Sequence, residues 1–297
     1  MSDFQTGGIS DSLASGRSRA DGGVSFMLIG HHRSGTNFLT DVLQAHSRVS
    51  FIDEPLSMHT RGFPRTDLER WGADSYHPVH LHESLREYPL SQRFFRDLVS
   101  YLEAVPSGQV RGFKETLLFE KIPWLLSAVP PLRIVHVVRD PRAVVASLLK
   151  HDVDRQWGYA DRLTAYFARH PDSPVEPLLE TPLMRCVTSW KVRQYEFRAS
   201  VEALPVVTVR LEDIVQDDET SLALVMSFLG LEVQREQLVL RRESERETRG
   251  GMYSTYRHRD EVLDGWRRRL SPADQAFVTA ACEEELHDLG YLFAAVR

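Results

Sequence analysis

Cysteine is almost missing from this chain: Cys186 and Cys282 are the only two in 297 residues. Two thiols so far apart give no metal-ligand spacing and no disulfide framework, so the expectation is a pair of buried thiols in a reducing compartment. Long apolar runs are missing too. No stretch approaches the roughly 18 apolar residues of a membrane span. Residues 1–23, rich in Ser, Gly and Asp, contain neither a secretory apolar core nor an anchor. They are expected to form a flexible tail on a cytoplasmic protein. Lysine is scarce: only positions 114, 121, 150 and 191 carry it among 36 basic residues, so arginine is the default cation. The net charge of −6 opposes a long polyanionic partner such as nucleic acid. Neither nucleic acid nor a membrane is therefore expected as a partner.

What is present is a hydrophobic content of 42%, enough for a large core at this length. Predicted strands at 24–29, 49–52, 109–113, 133–138 and 205–209 alternate with helices. That is the pattern of a mainly parallel α/β sheet covered by helices, with ligands at the strands' C-terminal ends. One domain over 24–297 is expected. Gly30, Glu54, Lys114 and Arg139 each fall just after a predicted strand.

The first strand runs into Gly30-His31-His32-Arg33-Ser34-Gly35-Thr36-Asn37-Phe38. Two glycines permit a tight turn, and a helix starting at Thr36 presents free amide N–H groups to an anion. The glycine spacing matches the first half of a Walker A loop, but Thr36 stands where a triphosphate loop needs Lys. A shorter phosphate chain is expected, with Arg33 supplying a planar donor fork. A later strand closes on Arg139, and Ser147 follows eight residues on, inside the next helix. That pair suits a phosphate separate from the one held by the first loop. Two phosphate sites imply a bisphosphorylated nucleotide.

With these motifs the chain resembles the sulfotransferases that use 3′-phosphoadenosine 5′-phosphosulfate (PAPS), above all the Golgi-type carbohydrate and tyrosylprotein enzymes. Further likeness lies in Phe51-Ile52-Asp53-Glu54-Pro55, where Glu54 is 21 residues after Arg33, and in Gly112-Phe113-Lys114, where Lys114 is 25 residues before Arg139. It continues through Val207–Asp213, Trp266–Leu270 and the stretch from Cys282 to Gly290-Tyr291. The resemblance covers 24–292, with gaps at 56–108 and 152–185. It implies a P-loop-like three-layer fold, PAPS as sulfuryl donor, no metal, and as partner a small or medium-sized acceptor, glycosylated or phenolic, sulfated on a hydroxyl.

The resemblance also implies roles for residues. Arg33, Ser34, Gly35, Thr36, Asn37 and Phe38 form the 5′-phosphosulfate loop, Phe38 either stacking on adenine or joining the core. Arg139 and Ser147 hold the 3′-phosphate, with Arg257 or Arg259 closing over it. Glu54 is the candidate general base, and Arg33 and Lys114 are the cations at the leaving oxygens. Cytosolic members place a histidine base in a Lys-Thr-His segment, whereas this chain has Lys114-Glu115-Thr116, which makes Glu115 a secondary base candidate. His31 and His32, beside the loop, are weaker ones. Golgi members usually carry a membrane anchor, and none is expected here, which would set this chain apart from them in location. His77, His80 and His82 flank Pro78 and read as loop rather than metal site. Together with Trp71, Tyr76, Trp157, Tyr159, Tyr166 and Phe167 they fall in or beside the two gaps and are expected to build an acceptor pocket and lid. The alternatives are a P-loop small-molecule kinase, or a nucleotide-binding protein without turnover.

Overall fold

Side chains alternate along β1 (Val24–Ile29) between two apolar layers, which places this strand at the centre of the architecture. The computed structural model describes residues 23–54, 89–116, 132–156, 158–202, 204–216, 219–246 and 254–292. Among them β1 pairs with β2 (Val49–Asp53), β3 (Val110–Glu115), β4 (Arg133–Val138) and β5 (Val206–Arg210) in the order β2-β3-β1-β4-β5, every pairing parallel. All five expected strands are found, as is the expected helix-covered parallel sheet. One boundary differs with consequence: β3 runs two residues further than predicted, so Lys114 lies inside the strand rather than after it.

Phe26 and Leu28 pack with Leu39, Val42 and Leu43 of α1 (Thr36–Gln44). Met27 and Ile29 face the other way, onto Leu98 and Leu102 of α2 (Pro89–Glu103) and Phe197 and Val201 of a long helix, Pro182–Val201. A strand buried on both faces has no polar side to show, hence its unbroken apolar run. Gly112 on β3 is required by this packing, since a Cβ there would lie 2.2 Å from the Phe26 ring. A third cluster joins Val144, Val145 and Leu148 of α3 (Pro141–Lys150) to Trp190, Val278 and Leu286, and it holds the C-terminal helices in place. The two free cysteines are buried in it.

Within the two gap segments, the described aromatic residues do not line the cavity. Tyr159 and Tyr166 of α4 (Tyr159–Arg169) are buried in the third cluster, and Phe167 packs against it. They are core, not pocket wall. The α2 helix belongs to the layer under the sheet. Trp71, Tyr76, His77, His80, His82, Trp157 and the tail 1–22 lie outside the described residues. No helix among the described residues is long and apolar enough to cross a membrane.

Two histidines are locked into the interior. His136 of β4 stacks on Phe197 with ring centroids 3.8 Å apart, and His31 is fully buried behind the first loop. Burial, reinforced by Arg193 for His31 and Arg198 for His136, holds each imidazole at a pKa of about 3, down from 6.5. Below pH ~6.5 the unfolded chain takes up protons that the native one refuses, so native stability erodes as pH falls from there toward ~3. The slope is about 1.4 kcal/mol per pH unit for each histidine. Chemical unfolding should therefore show a loss of roughly 3 kcal/mol between about pH 7.5 and pH 5.5 from these two groups together. His136→Phe should remove one histidine's share. A stability flat across that interval would contradict the buried, uncharged state.

Candidate active site

After Ile29 the chain folds back on itself: Ser34 N–H donates to the His31 carbonyl at 3.0 Å. Arg33 (φ 68°) and Gly35 (φ 87°) both take left-handed backbone. At Gly35 no other residue fits, because a Cβ would also meet Leu211 at 2.6 Å. The Leu39 N–H donates to the Gly35 carbonyl as the first bond of α1. The N–H groups ahead of it therefore stay uncommitted within the helix, at the positive end of its dipole.

A cavity of about 480 Å³ opens on this turn. Arg33, Gly35, Thr36, Asn37, Phe38, Glu54, Lys114, Arg139, Ser147 and Arg257 all line it. Two expected residues do not. Ser34 is buried beneath the loop, and Arg259 lies outside the wall, its Nη2 donating to the Gln216 carbonyl at 3.4 Å. Phe38 packs in the core cluster at 8% exposure and also forms part of the wall.

Strand register places Lys114 level with Leu28 of β1 and Asp53 of β2. Its buried ammonium reaches three oxygens: it donates to Asn37 Oδ1, lies 2.7 Å from Asp53 Oδ1, and lies 3.4 Å from Glu54 Oε1. An ammonium has three N–H donors, so the group is satisfied without water. Glu54 N–H donates to the Lys114 carbonyl at 3.0 Å. The chain then turns left-handed at Glu54 itself (φ 44°), and Thr116 Oγ1 donates to Glu54 Oε1 at 3.3 Å. A non-glycine residue held in this conformation costs of order 1–3 kcal/mol and persists only where its surroundings fix it. Glu115, one residue along β3 from Lys114, is wholly buried and absent from the cavity wall. Alternation along the strand sends it to the opposite face, which sets it aside as a second base.

Arg139 and Ser147 are not apart from the first loop, contrary to the expectation of separate pockets. Arg33 Nε donates to Ser147 Oγ at 3.0 Å, while Arg139 donates through Nη1 to the Arg33 carbonyl (3.0 Å) and through Nη2 to the Val262 carbonyl (2.8 Å). The reason is that Ser147 sits on the second turn of α3, within reach of a loop at the end of the neighbouring strand. Arg139 Nε and Ser34 Oγ are buried with no hydrogen-bond partner among the described residues. Such orphaned donors are rare in native interiors.

Lys150 and His151, which no sequence motif marked, share the wall with Arg269. Arg269 foremost, then burial, Arg257 and Arg33, push the Lys150 pKa down. His151 is pushed down by burial and then by Arg33, Lys150, Arg257 and Arg269. The cations repel one another, and an arriving phosphate relieves that repulsion. Burial, followed by Arg193, keeps His32 well below its usual range. His32 and His31 are thus uncharged and poor proton acceptors at neutral pH. Two motifs that gave the resemblance turn out to be supports. Tyr291 Oη donates to Glu212 Oε2 at 2.7 Å, and Glu212 Oε1 accepts from Asp140 N–H at 3.1 Å. Together they brace the strand end that bears Arg139.

A family model described as "Sulfotransferase family" matches residues 25–235. No curated protein matches the chain. Among solved structures, the chain is similar to mouse sulfotransferase SULT7A1 complexed with PAP, with a TM-score of 0.51 and 14% identity over 90% of this chain and 85% of that one. It is likewise similar to the sulfotransferase domain of the Synechococcus PCC 7002 olefin synthase, at TM-score 0.50 and 14% identity over 88% and 94%. A sulfotransferase from Alicyclobacillus acidocaldarius matches at TM-score 0.50 and 14% identity over 90% and 94%. At these identities the likeness concerns the fold.

The cradle around Lys114 predicts a contrast between two basic residues. Lys114→Met, which removes a buried ammonium and its bonds to Asn37, Asp53 and Glu54, should lower unfolding free energy by about 1.5–3 kcal/mol. Arg259→Ala, at an exposed side chain, should stay within about 0.5 kcal/mol of the parent. Urea unfolding of both variants checks this, and an unchanged Lys114→Met protein would contradict the buried cradle.

Proposed function

The chain belongs to the sulfotransferase family, and from that premise we propose that it transfers a sulfuryl group from PAPS to a hydroxyl of a small or medium-sized acceptor, sugar-bearing or phenolic. The products are a sulfate ester and adenosine 3′,5′-bisphosphate. Residues 24–297 act as one sulfotransferase domain in this reading. We place the reaction in the cytoplasm, in keeping with two buried, unpaired thiols. The observation that carries the proposal is the convergence on one wall of an amide-lined helix start, a fixed Arg33, a buried Lys114 and the Glu54 carboxylate, whose Oε1 lies 3.4 Å from the Lys114 ammonium.

The donor's part is an activated sulfuryl group on its 5′-phosphate. The acceptor oxygen bonds to sulfur, the bond from sulfur to the phosphate oxygen breaks with its electron pair staying on phosphate, and the hydroxyl proton passes to Glu54. Arg33 and Lys114 stand where negative charge grows on the leaving oxygens, so their charge lowers the barrier without reorganising. Glu54 is held close to a cation by backbone and side chain alike, which fixes its direction. Arg139, Ser147 and Arg257, with Lys150 and Arg269 nearby, take the 3′-phosphate.

Calorimetry should show adenosine 3′,5′-bisphosphate binding more tightly than ATP. Glu54→Gln should retain that affinity while turnover with PAPS falls about a hundredfold or more. Arg33→Ala should weaken both binding and turnover. Binding of ATP without the bisphosphate would overturn the reading, and normal turnover by Glu54→Gln would remove the base from Glu54.

A further inference from the structure

Glu54 is gripped at more than one point by the neighbouring strand. Its N–H donates to the Lys114 carbonyl at 3.0 Å, its Oε1 lies 3.4 Å from the Lys114 ammonium, and the same Oε1 accepts from Thr116 Oγ1 at 3.3 Å. Lys114 and Thr116 stand two positions apart, a spacing that turns both side chains to one face of a strand. Both line the cavity beside Glu54.

Distances separate what these two neighbours do. The Lys114 ammonium is committed to Asp53 Oδ1 at 2.7 Å and to Asn37 Oδ1, and its approach to Glu54 is the longest of the three. That third contact exceeds the usual N–H···O range and acts through charge. Thr116 is 6% exposed. Most side-chain hydrogen bonds run to backbone or water, yet this hydroxyl reaches a carboxylate 62 residues earlier in the chain. It does so where the Glu54 backbone is left-handed (φ 44°), a conformation that a non-glycine residue keeps only where its surroundings fix it.

Resting on the reading above, in which Glu54 takes the acceptor's proton, we infer that Thr116 is a positioning residue whose hydroxyl aims the Glu54 carboxylate at the acceptor oxygen. Lys114 supplies charge and Thr116 supplies direction. A neutral donor suits this task. A general base must keep its affinity for a proton, and each cation that bonds directly to a carboxylate lowers that affinity. A hydroxyl orients the group with a smaller loss of basicity. At 3.3 Å, long for two oxygens, it steers the carboxylate without neutralising it.

Thr116→Val keeps the outline of the side chain and removes the donor. Turnover of PAPS is followed by release of the bisphosphate, with phenol as acceptor and, separately, with water alone. In Thr116→Val kcat should fall roughly tenfold, while KM for PAPS and affinity for the bisphosphate stay within about twofold of the parent. Thr116→Ser, which returns the hydroxyl, should recover most of the loss. In a Glu54→Gln background the valine should cost nothing further, because the group it aims is gone. An unchanged kcat in Thr116→Val, no recovery with serine, or the same loss repeated in the Glu54→Gln background would overturn the inference. So would a Thr116→Val protein that loses the bisphosphate as well, since the hydroxyl would then be structural, or a parent that binds the bisphosphate yet turns over PAPS with neither acceptor. Failure of the parent to bind the bisphosphate would instead bring down the underlying sulfotransfer reading.

Discussion

The buried ammonium of Lys114 is the point at which strand pairing becomes chemistry. Its position is set by two parallel ladders, to Leu28 on one side and Asp53 on the other, and its direction by Asn37 in the first turn of α1. One cation thereby ties the phosphate loop, the sheet and the candidate base into a single frame. None of these parts can shift by an ångström without breaking a contact to a fully desolvated charge, and that is what preorganisation means in structural terms. Gly112 and Phe26 beneath it serve the same frame, since the bare backbone at 112 lets β3 lie close enough for the ladder to form.

Charge is distributed with equal economy. The chain as a whole is acidic, yet four arginines and two lysines converge on one cavity wall from the loop, β3, the end of β4, α3 and the C-terminal quarter. A concave wall of low polarity focuses such a field, so the average sign of the surface says little about the ligand that is drawn in. The mutual repulsion visible at Lys150 and His151 marks this wall as one that favours an anion over a cation.

Much of the fold was legible because β1 and β4 are buried on both faces and read as plain apolar runs with the observed bounds. The loop was legible because Gly30 and Gly35 have few other uses at that spacing. The end of β3 was not: Lys114 and Glu115 are charged, and only partners from distant parts of the chain make a buried lysine tolerable. The aromatic residues of 152–185 were misread because burial in a core and lining of a pocket leave the same compositional trace, and Tyr159 and Tyr166 went to the core. Arg257 and Arg259 stand two residues apart, but one precedes a short helix and the other begins it. Only the first reaches the cavity, a matter of local geometry invisible to pattern. Lys150 and His151 join the site by proximity across elements, for which linear spacing carries no signal.

Arg33 and Glu54 share a trait unrelated to their charge: each adopts backbone angles that favour glycine. A glycine at either position relaxes the chain by of order 1 kcal/mol or more. Any effort to harden this protein against heat by matching each residue to its preferred conformation will therefore reach first for Arg33 and Glu54, the two side chains to which the proposed mechanism gives the roles of cation and base. On that proposal, a sturdier but inert molecule is the natural end of that path.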